Sequence, residues 1–346
     1  MRAGLFLGYW PWFTPDEQAE YAVLADRLGL STVWISEAWG LDAVSILGSL
    51  TALTDQISLG SGLMQIPARQ PAATAMAATS LDVLSNGRFK LGLGLSGPQV
   101  SEGWYGVPFE KPVTRTREYV EIVRKAMNGE KLSYEGEFWT IPSDPDKGLG
   151  LGKPLRLLGR PVQEKVPIYL GAIGPRAVEQ VGEIADGWLP FMYSPHNPSI
   201  LRDPLHRGAE KAGRDPDEID ISAVIPVAVA NTVEEAREAT RPWLAFYLGA
   251  MGAKGKNFYV DLAEKYGVGE SARACQEAFL GGDRLGAATA LSDELIDLGT
   301  ISTTADELAD RIAEFEGIGV DEIGAIPCGD AEMKEQTIRQ LAAAVA

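Results

Sequence analysis

The chain reads as an α/β protein, a (β/α)8 TIM barrel with insertion segments at its C-terminal face. Three observations predict this. Short apolar runs at 4–8, 32–36, 57–61, 89–94, 167–171, 186–191, 219–229 and 322–326 supply eight candidate strands. Helical patterns lie between them, and such alternation implies parallel βαβ units. The strand-to-loop junctions at 33–40, 57–67 and 89–99 each pass from apolar to small, polar or aromatic residues just before a helix. In a barrel that is the face where chemistry gathers. Eight such units in 346 residues, 45% of them hydrophobic, favour one closed barrel, so a single domain over 1–346 is expected.

The elements follow in order. Thr14-Pro15-Asp16-Glu17 opens the first helix, with Thr14 as N-cap and Pro15 at the first helical position, and Gly29 closes it. Further helices are expected near 42–54, 71–84, 111–128, 175–185, 232–250, 304–317 and 330–344. Ile318-Gly319-Val320-Asp321-Glu322 reads as the turn into the last strand. Two stretches break the alternation. Residues 130–166, rich in Gly, Pro and charge, read as an insertion after the fourth unit, and 251–303, mostly helical, as one between the seventh and eighth strands. Long segments on the loop face of a barrel usually shape a site.

Composition narrows the functions. A net charge of -17 repels nucleic acid and anionic membranes, so neither is an expected partner. The only cysteines are Cys275 and Cys328, which fits a reducing cytosol, and with His196 and His206 the only histidines no metal site is expected. No charged leader with an apolar core precedes the first strand and no apolar run approaches a bilayer span, so a cytoplasmic protein without a signal peptide is expected. There is no nucleophile elbow and no Walker loop, which argues against serine-hydrolase and NTPase chemistry.

The remaining motifs point to a small-molecule site. Gly171-Ala172-Ile173-Gly174-Pro175-Arg176 ends a strand and starts a helix. Exposed amides, a positive dipole end and an arginine fork suit a phosphate, while a tight turn with a solvated arginine is the plainer reading. Five basic residues, Lys147, Lys153, Arg156, Arg160 and Lys165, lie just upstream beside the single acid Glu164, an island of positive charge in an acidic chain. The run 92–98 contains Gly94, Ser96 and Gly97 and lets a flat ligand approach the backbone, or serves interior packing. Ser61, Gly62, Leu63, Met64 and Gln65, with Arg69 after them, form a small-then-bulky wall for a planar ring, or plain core. Glu37, directly after a buried strand, is a candidate acid or base whose pKa burial would raise, or a carboxylate capping the next helix. Trp39, Trp10 and Trp12 make an aromatic wall for a substrate or pack on the barrel rim.

Several stretches carry a resemblance: 7–10, 36–40, 96–106, 171–176, 183–188 and 317–322. On these the chain resembles the luciferase-like flavin and deazaflavin monooxygenase superfamily, a (β/α)8 barrel family. It looks most like the branch that uses coenzyme F420, which includes methylenetetrahydromethanopterin reductase. The resemblance implies F420 as cofactor, with FMN the alternative. It implies a bulge at Gly62-Leu63, often with a non-proline cis peptide, pressing on the ring, with Gly94, Ser96 and Gly97 lining the cofactor and Gly171 to Arg176 holding its phosphate. The basic island would then receive the phosphate and acidic tail. Gln99 and Glu102 fall among substrate-facing loops, and a homodimer through helices flanking strands two to four is implied. Relatives that oxidise sugars or alcohols read Ser-Asp-His where this chain reads Ser36-Glu37-Ala38, so their histidine base is absent. Glu37, Tyr193 or Glu102 would replace it. The expected activity is hydride transfer between deazaflavin C5 and an organic C=C, C=N or C=O, with an FMN monooxygenase or a non-catalytic F420-binding protein as alternatives.

Overall fold

A computed structural model describes residues 1–8, 11–252, 255 and 257–346. Its strands are β1 (Arg2–Leu7), β2 (Thr32–Ile35), β3 (Ser58–Ser61), β4 (Met64–Gln65), β5 (Phe89–Gly94), β6 (Tyr134–Glu135), β7 (Thr140–Ile141), β8 (Ile168–Leu170), β9 (Gly187–Trp188), β10 (Asp220–Ala230), β11 (Ile301–Thr304) and β12 (Glu322–Pro327). Parallel pairing runs β1-β2-β3-β5-β8-β9-β10-β12 and returns from β12 to β1, which closes an eight-strand barrel. The eight strands expected from the sequence are these eight.

Local chemistry explains the elements that bear on the site. The first helix, Pro15–Arg27, carries a complete capping box: Thr14 accepts from the Glu17 amide, and the Glu17 carboxylate accepts from the Thr14 amide at 2.8 Å. Between β3 and β4 the chain bulges. Gly60 pairs with Lys90 and Met64 with Leu93, four residues against three, so one extra residue is pushed out at Gly62–Leu63. That peptide bond is cis, as the resemblance implies.

Three features add to the expected alternation. The segment 251–303 is not only helical: after helices Phe258–Lys265, Gly269–Leu280, Arg284–Thr289 and Asp293–Gly299 it ends in β11, which pairs with Val227 to Ala230 of β10. The segment 130–166 holds the β6–β7 hairpin and little other regular structure. The helix Ser199–Lys211, with Pro204 inside it, is not among the expected helices. It forms by close crossing with helix Pro175–Ile184, where a β-carbon on Gly208 would lie 1.8 Å from the Glu179 carbonyl oxygen.

The N-terminal end of the barrel is closed by a buried polar cluster around Glu322, the first residue of β12 and 0% exposed. Its carboxylate accepts from Thr32 Oγ1 (2.8 Å), Trp34 Nε1 (2.9 Å) and Ser222 Oγ (2.6 Å), and from Ser31 Oγ. Lys90 Nζ lies 4.0 Å away, donates to Thr32 Oγ1, and sits 5.6 Å from the ring centroids of Trp34 and Tyr169. Tyr169 donates to Asp220, which also pairs with Arg2. The donors and the Lys90 ammonium hold the Glu322 carboxyl below its ordinary value despite complete burial.

A folded-state pKa below the unfolded one adds stability above the unfolded value, and that stability is lost as pH falls through the folded one. Glu322→Gln is therefore expected to cost about 3–5 kcal/mol near neutral pH, since it leaves Lys90 buried without its anion. The gap to the parent protein should narrow on acidification below about pH 4.3. Urea unfolding followed by tryptophan fluorescence at both pH values measures it, and an unchanged midpoint at pH 7 would refute the assignment.

Candidate active site

At the opposite end, the strand C-termini surround a cavity of about 740 Å³. That lies within the range for a cofactor or drug-sized ligand, roughly 300–1,000 Å³. Its wall includes Ser36 and Glu37 after β2, Gly62, Leu63 and Gln65 at the bulge, Gly94 to Gly97 after β5, and Gly171 to Arg176 after β8. Phe191 and Val224 come from the β9 and β10 side, and Tyr247, Phe258 and Tyr259 from the helices beyond.

Glycine makes room for Leu63. A β-carbon on Gly171 would lie 2.2 Å from Leu63 Cδ1, and one on Gly94 2.7 Å from the same atom. One on Gly92 would lie 2.0 Å from the Ser61 carbonyl oxygen. The glycines at the ends of β5 and β8 therefore let the Leu63 side chain lie across two neighbouring strands and present a flat apolar surface to the cavity. Ser61 itself is fully buried behind this wall, where its hydroxyl exchanges bonds with the backbone of Gly92 at 2.9 Å. Met64 is buried likewise. Neither lines the cavity.

The anchors after β8 do line it. Helix Pro175–Ile184 starts at Gly174 with no side-chain cap, so its first amides remain available, and Arg176 is exposed with no ion pair among the described residues. A second uncapped helix start, Pro112–Met127, reaches the same cavity through Lys111 to Thr114 and Thr116. Sequence reading did not single it out. Its only signal is Pro112 after Lys111, which has φ of 41° and pairs with Glu137.

Two buried polar atoms of the lining have no hydrogen-bond partner among the described residues: Ser36 Oγ and Gln65 Oε1. Gln65 Nε2 is used, donating to the Glu37 carbonyl at 3.0 Å. Buried polar groups are nearly always paired, so two orphans in one cavity mark where a bound group would complete them. The cavity thus fits a planar ring against Leu63 with polar edges toward Ser36 and Gln65 and a phosphate at the Gly174 helix start.

Glu37 lines the cavity with its side chain 4% exposed. Asp42 caps the next helix, accepting from the Ser45 amide, and the Glu37 carboxylate also meets the amide of Ala43, that helix's first residue. Arg69 donates to both Glu37 carboxylate oxygens, at 2.7 and 3.0 Å, and pairs with Asp42 through its other nitrogen. Burial pushes the Glu37 carboxyl above its ordinary value, and the Arg69 ion pair offsets only part of that. Arg69 is not among the cavity-lining residues and is held by the two carboxylates.

Other expected residues lie elsewhere. Trp39 is on the cavity rim and 47% exposed. Tyr193 does not line the cavity: it is buried against Trp188 with its hydroxyl unpartnered and pushed up to about 12. Trp12 packs on Trp243, ring centroids 5.3 Å apart, behind the wall. Gln99 and Glu102 are exposed, and Glu102 accepts from the Phe109 amide. Trp10 lies outside the described residues. None of the five residues of the basic island lines the cavity. Lys165 is tied to Asp186, just before β9, at the other end of the barrel. The island therefore lies outside the cavity lining, and the phosphate position within the cavity rests on Gly171 to Arg176 alone.

With this geometry in hand the comparisons with known proteins are decisive. The luciferase-like monooxygenase family model matches residues 2–322. The chain belongs to that family. A Mycobacterium tuberculosis protein assigned by name to the coenzyme F420-dependent oxidoreductases is 38% identical over 100% of this chain and 99% of its own. The 5,10-methylenetetrahydromethanopterin reductase of Archaeoglobus fulgidus is 32% identical over 90% of this chain and 91% of its own. The solved F420-dependent tetrahydromethanopterin reductase of Methanopyrus kandleri superposes with a TM-score of 0.83 at 25% identity, covering 99% of this chain and 98% of that one. With these relatives the chain stands in the F420-dependent oxidoreductase branch, and it is an enzyme.

Proposed function

We propose that this enzyme binds coenzyme F420 and transfers a hydride between the deazaflavin C5 and a small organic substrate, with reduction of a C=C, C=N or C=O bond favoured. One observation carries the reading. A glycine-seated Leu63, two polar atoms and an arginine without partners among the described residues, and an uncapped helix start converge on one cavity, in a chain with relatives named for F420. When bound, the cofactor supplies or accepts the hydride. The protein's part is position and protonation. Leu63 backs the ring, Ser36 and Gln65 complete its polar edge, and the amides from Gly174 onward with Arg176 hold the phosphate. Glu37 is the proton donor or acceptor, oriented by Arg69, and Trp39 borders the substrate.

Titrating the apoprotein with F420 and with FMN while following tryptophan fluorescence tests the cofactor. F420 should bind the more tightly, and Arg176→Ala should weaken it about tenfold by loss of a charge-assisted contact worth roughly 1.5 kcal/mol. Tighter FMN binding would move the assignment to an FMN enzyme, and binding of neither would overturn it.

Glu37 has its own signature. In the reductive direction the protonated carboxyl is the active form. The pH profile of kcat/KM should therefore fall as pH rises through the raised Glu37 pKa. Glu37→Gln should lower kcat by roughly 10²–10⁴ and abolish that limb. Survival of the limb would assign the proton to another group.

We also propose a homodimer. Helices Ala43–Leu50 and Pro71–Leu84 flank β2 to β5, and Met76, Val83 and Leu84 of the second, with Leu53 after the first, are apolar and about half exposed or more. Met76 and Val83 are seven residues apart, on one helix face. A second copy of the same helix is the matching occupant, as an isologous interface requires. Sedimentation should give a dimer, and Val83→Glu with Met76→Glu a monomer. A monomeric parent protein would discard the proposal.

A further inference from the structure

The cofactor reading leaves one wall of the cavity unused. The proposed anchors lie after β2, at the bulge of β3 and β4, and after β8. Opposite, beyond β9 and β10, the lining is Phe191, Tyr247, Phe258 and Tyr259. Tyr247 comes from the last turns of helix Val233–Ala250, and Phe258 and Tyr259 open helix Phe258–Lys265. Three of these rings hold one another. Phe191 stacks on Tyr247 with centroids 4.3 Å apart at 29°, and meets Tyr259 edge-on at 5.6 Å and 89°. Tyr247 and Tyr259 are 5.4 Å apart at 82°. Such mutual packing fixes the rotamers before any ligand arrives.

Among the described residues, the same wall carries no charged side chain. Among the described residues of the lining, the charged side chains are Glu37, Lys111 and Arg176. Glu37 is engaged by Arg69 and Lys111 by Glu137, while Arg176 stands at the Gly174 helix start. A charged ligand entering the β9–β10 side would lose its hydration and find no counter-charge among the described residues of that wall, whereas a neutral ring would exchange water for stacking and edge contacts.

We propose that this wall selects a neutral, planar, aromatic substrate, a fused or conjugated ring compound bearing the bond to be reduced, with its rings against Phe191, Tyr247 and Tyr259. The reaction rests on the oxidoreductase reading above; the binding preference does not. Isothermal titration of the protein, with and without F420, uses three probes: 2-acetylnaphthalene, its charged counterpart 2-naphthoate, and the non-planar acetylcyclohexane. The naphthyl ketone should bind at least tenfold more tightly than either of the others. Tyr259→Leu and Phe191→Leu should each weaken it roughly 3- to 10-fold, the worth of one aromatic contact, while leaving the F420 titration unchanged. Equal binding of naphthoate or acetylcyclohexane, no binding of the naphthyl ketone, or indifference to both substitutions would each overturn the proposal. A failure of the cofactor reading shows separately, as ketone binding without F420 binding.

Discussion

A closed barrel must fill its own interior, and here the filling at the N-terminal end is a buried carboxylate. Glu322 reaches from β12 to donors on β2 and β10 and draws Lys90 of β5 to 4.0 Å, so four of the eight barrel strands meet at one group. Burying such a charge costs several kcal/mol unless it is paired and fully hydrogen-bonded. Four hydrogen bonds and a nearby ammonium meet that condition, and the depressed carboxyl pKa says that they outweigh desolvation. The same group cannot be satisfied unless the strands are closed, which ties the register of β12 to the barrel as a whole.

The two ends of the barrel differ in how completely their polar groups are paired. Around Glu322 the donors and acceptors match. At the C-terminal end, among the described residues, Ser36 Oγ and Gln65 Oε1 are buried without partners, a helix start lacks a side-chain cap, and Arg176 has no carboxylate partner. Stability is concentrated at one face and unmet bonding capacity at the other, which is the division of labour a (β/α)8 barrel permits. Glu37 stands between the two conditions: it is fully paired with Arg69, yet so enclosed that its carboxyl is raised rather than lowered.

What the sequence disclosed was local. Strand and helix periodicities, the Thr14 N-cap and the Gly174-Pro175 helix start each depend on residues within a few positions, and all are present; the Gly62–Leu63 bulge, also present, came from the resemblance. What it concealed was long-range. Glu322 follows Asp321 and reads as a turn carboxylate, because its partners lie 100 and 290 positions away. Arg69 reads as part of the ring wall because it follows Gln65, while its partners come from the loop after β2. Ile301-Ser302-Thr303-Thr304 is too polar to announce a strand, and only the far end of β10 makes it one.

The basic island shows why charge density alone does not define a site. Its five cations are close in sequence, and proximity to the β8 loop suggested one anion-binding surface. The chain between them instead runs down the outside of the barrel: Gln163 bonds to Asp82 and to the carbonyl of Phe89, the first residue of β5, and Lys165 to Asp186. At the surface such pairs are worth little individually. They serve to carry the chain from the loop face back to the start of β8. The proposed phosphate position is instead the helix start at Gly174, which has no side-chain cap and borders the cavity together with Arg176. Direction and enclosure decide what a fractional charge can do, because the same dipole facing open water is screened and facing a cavity is not.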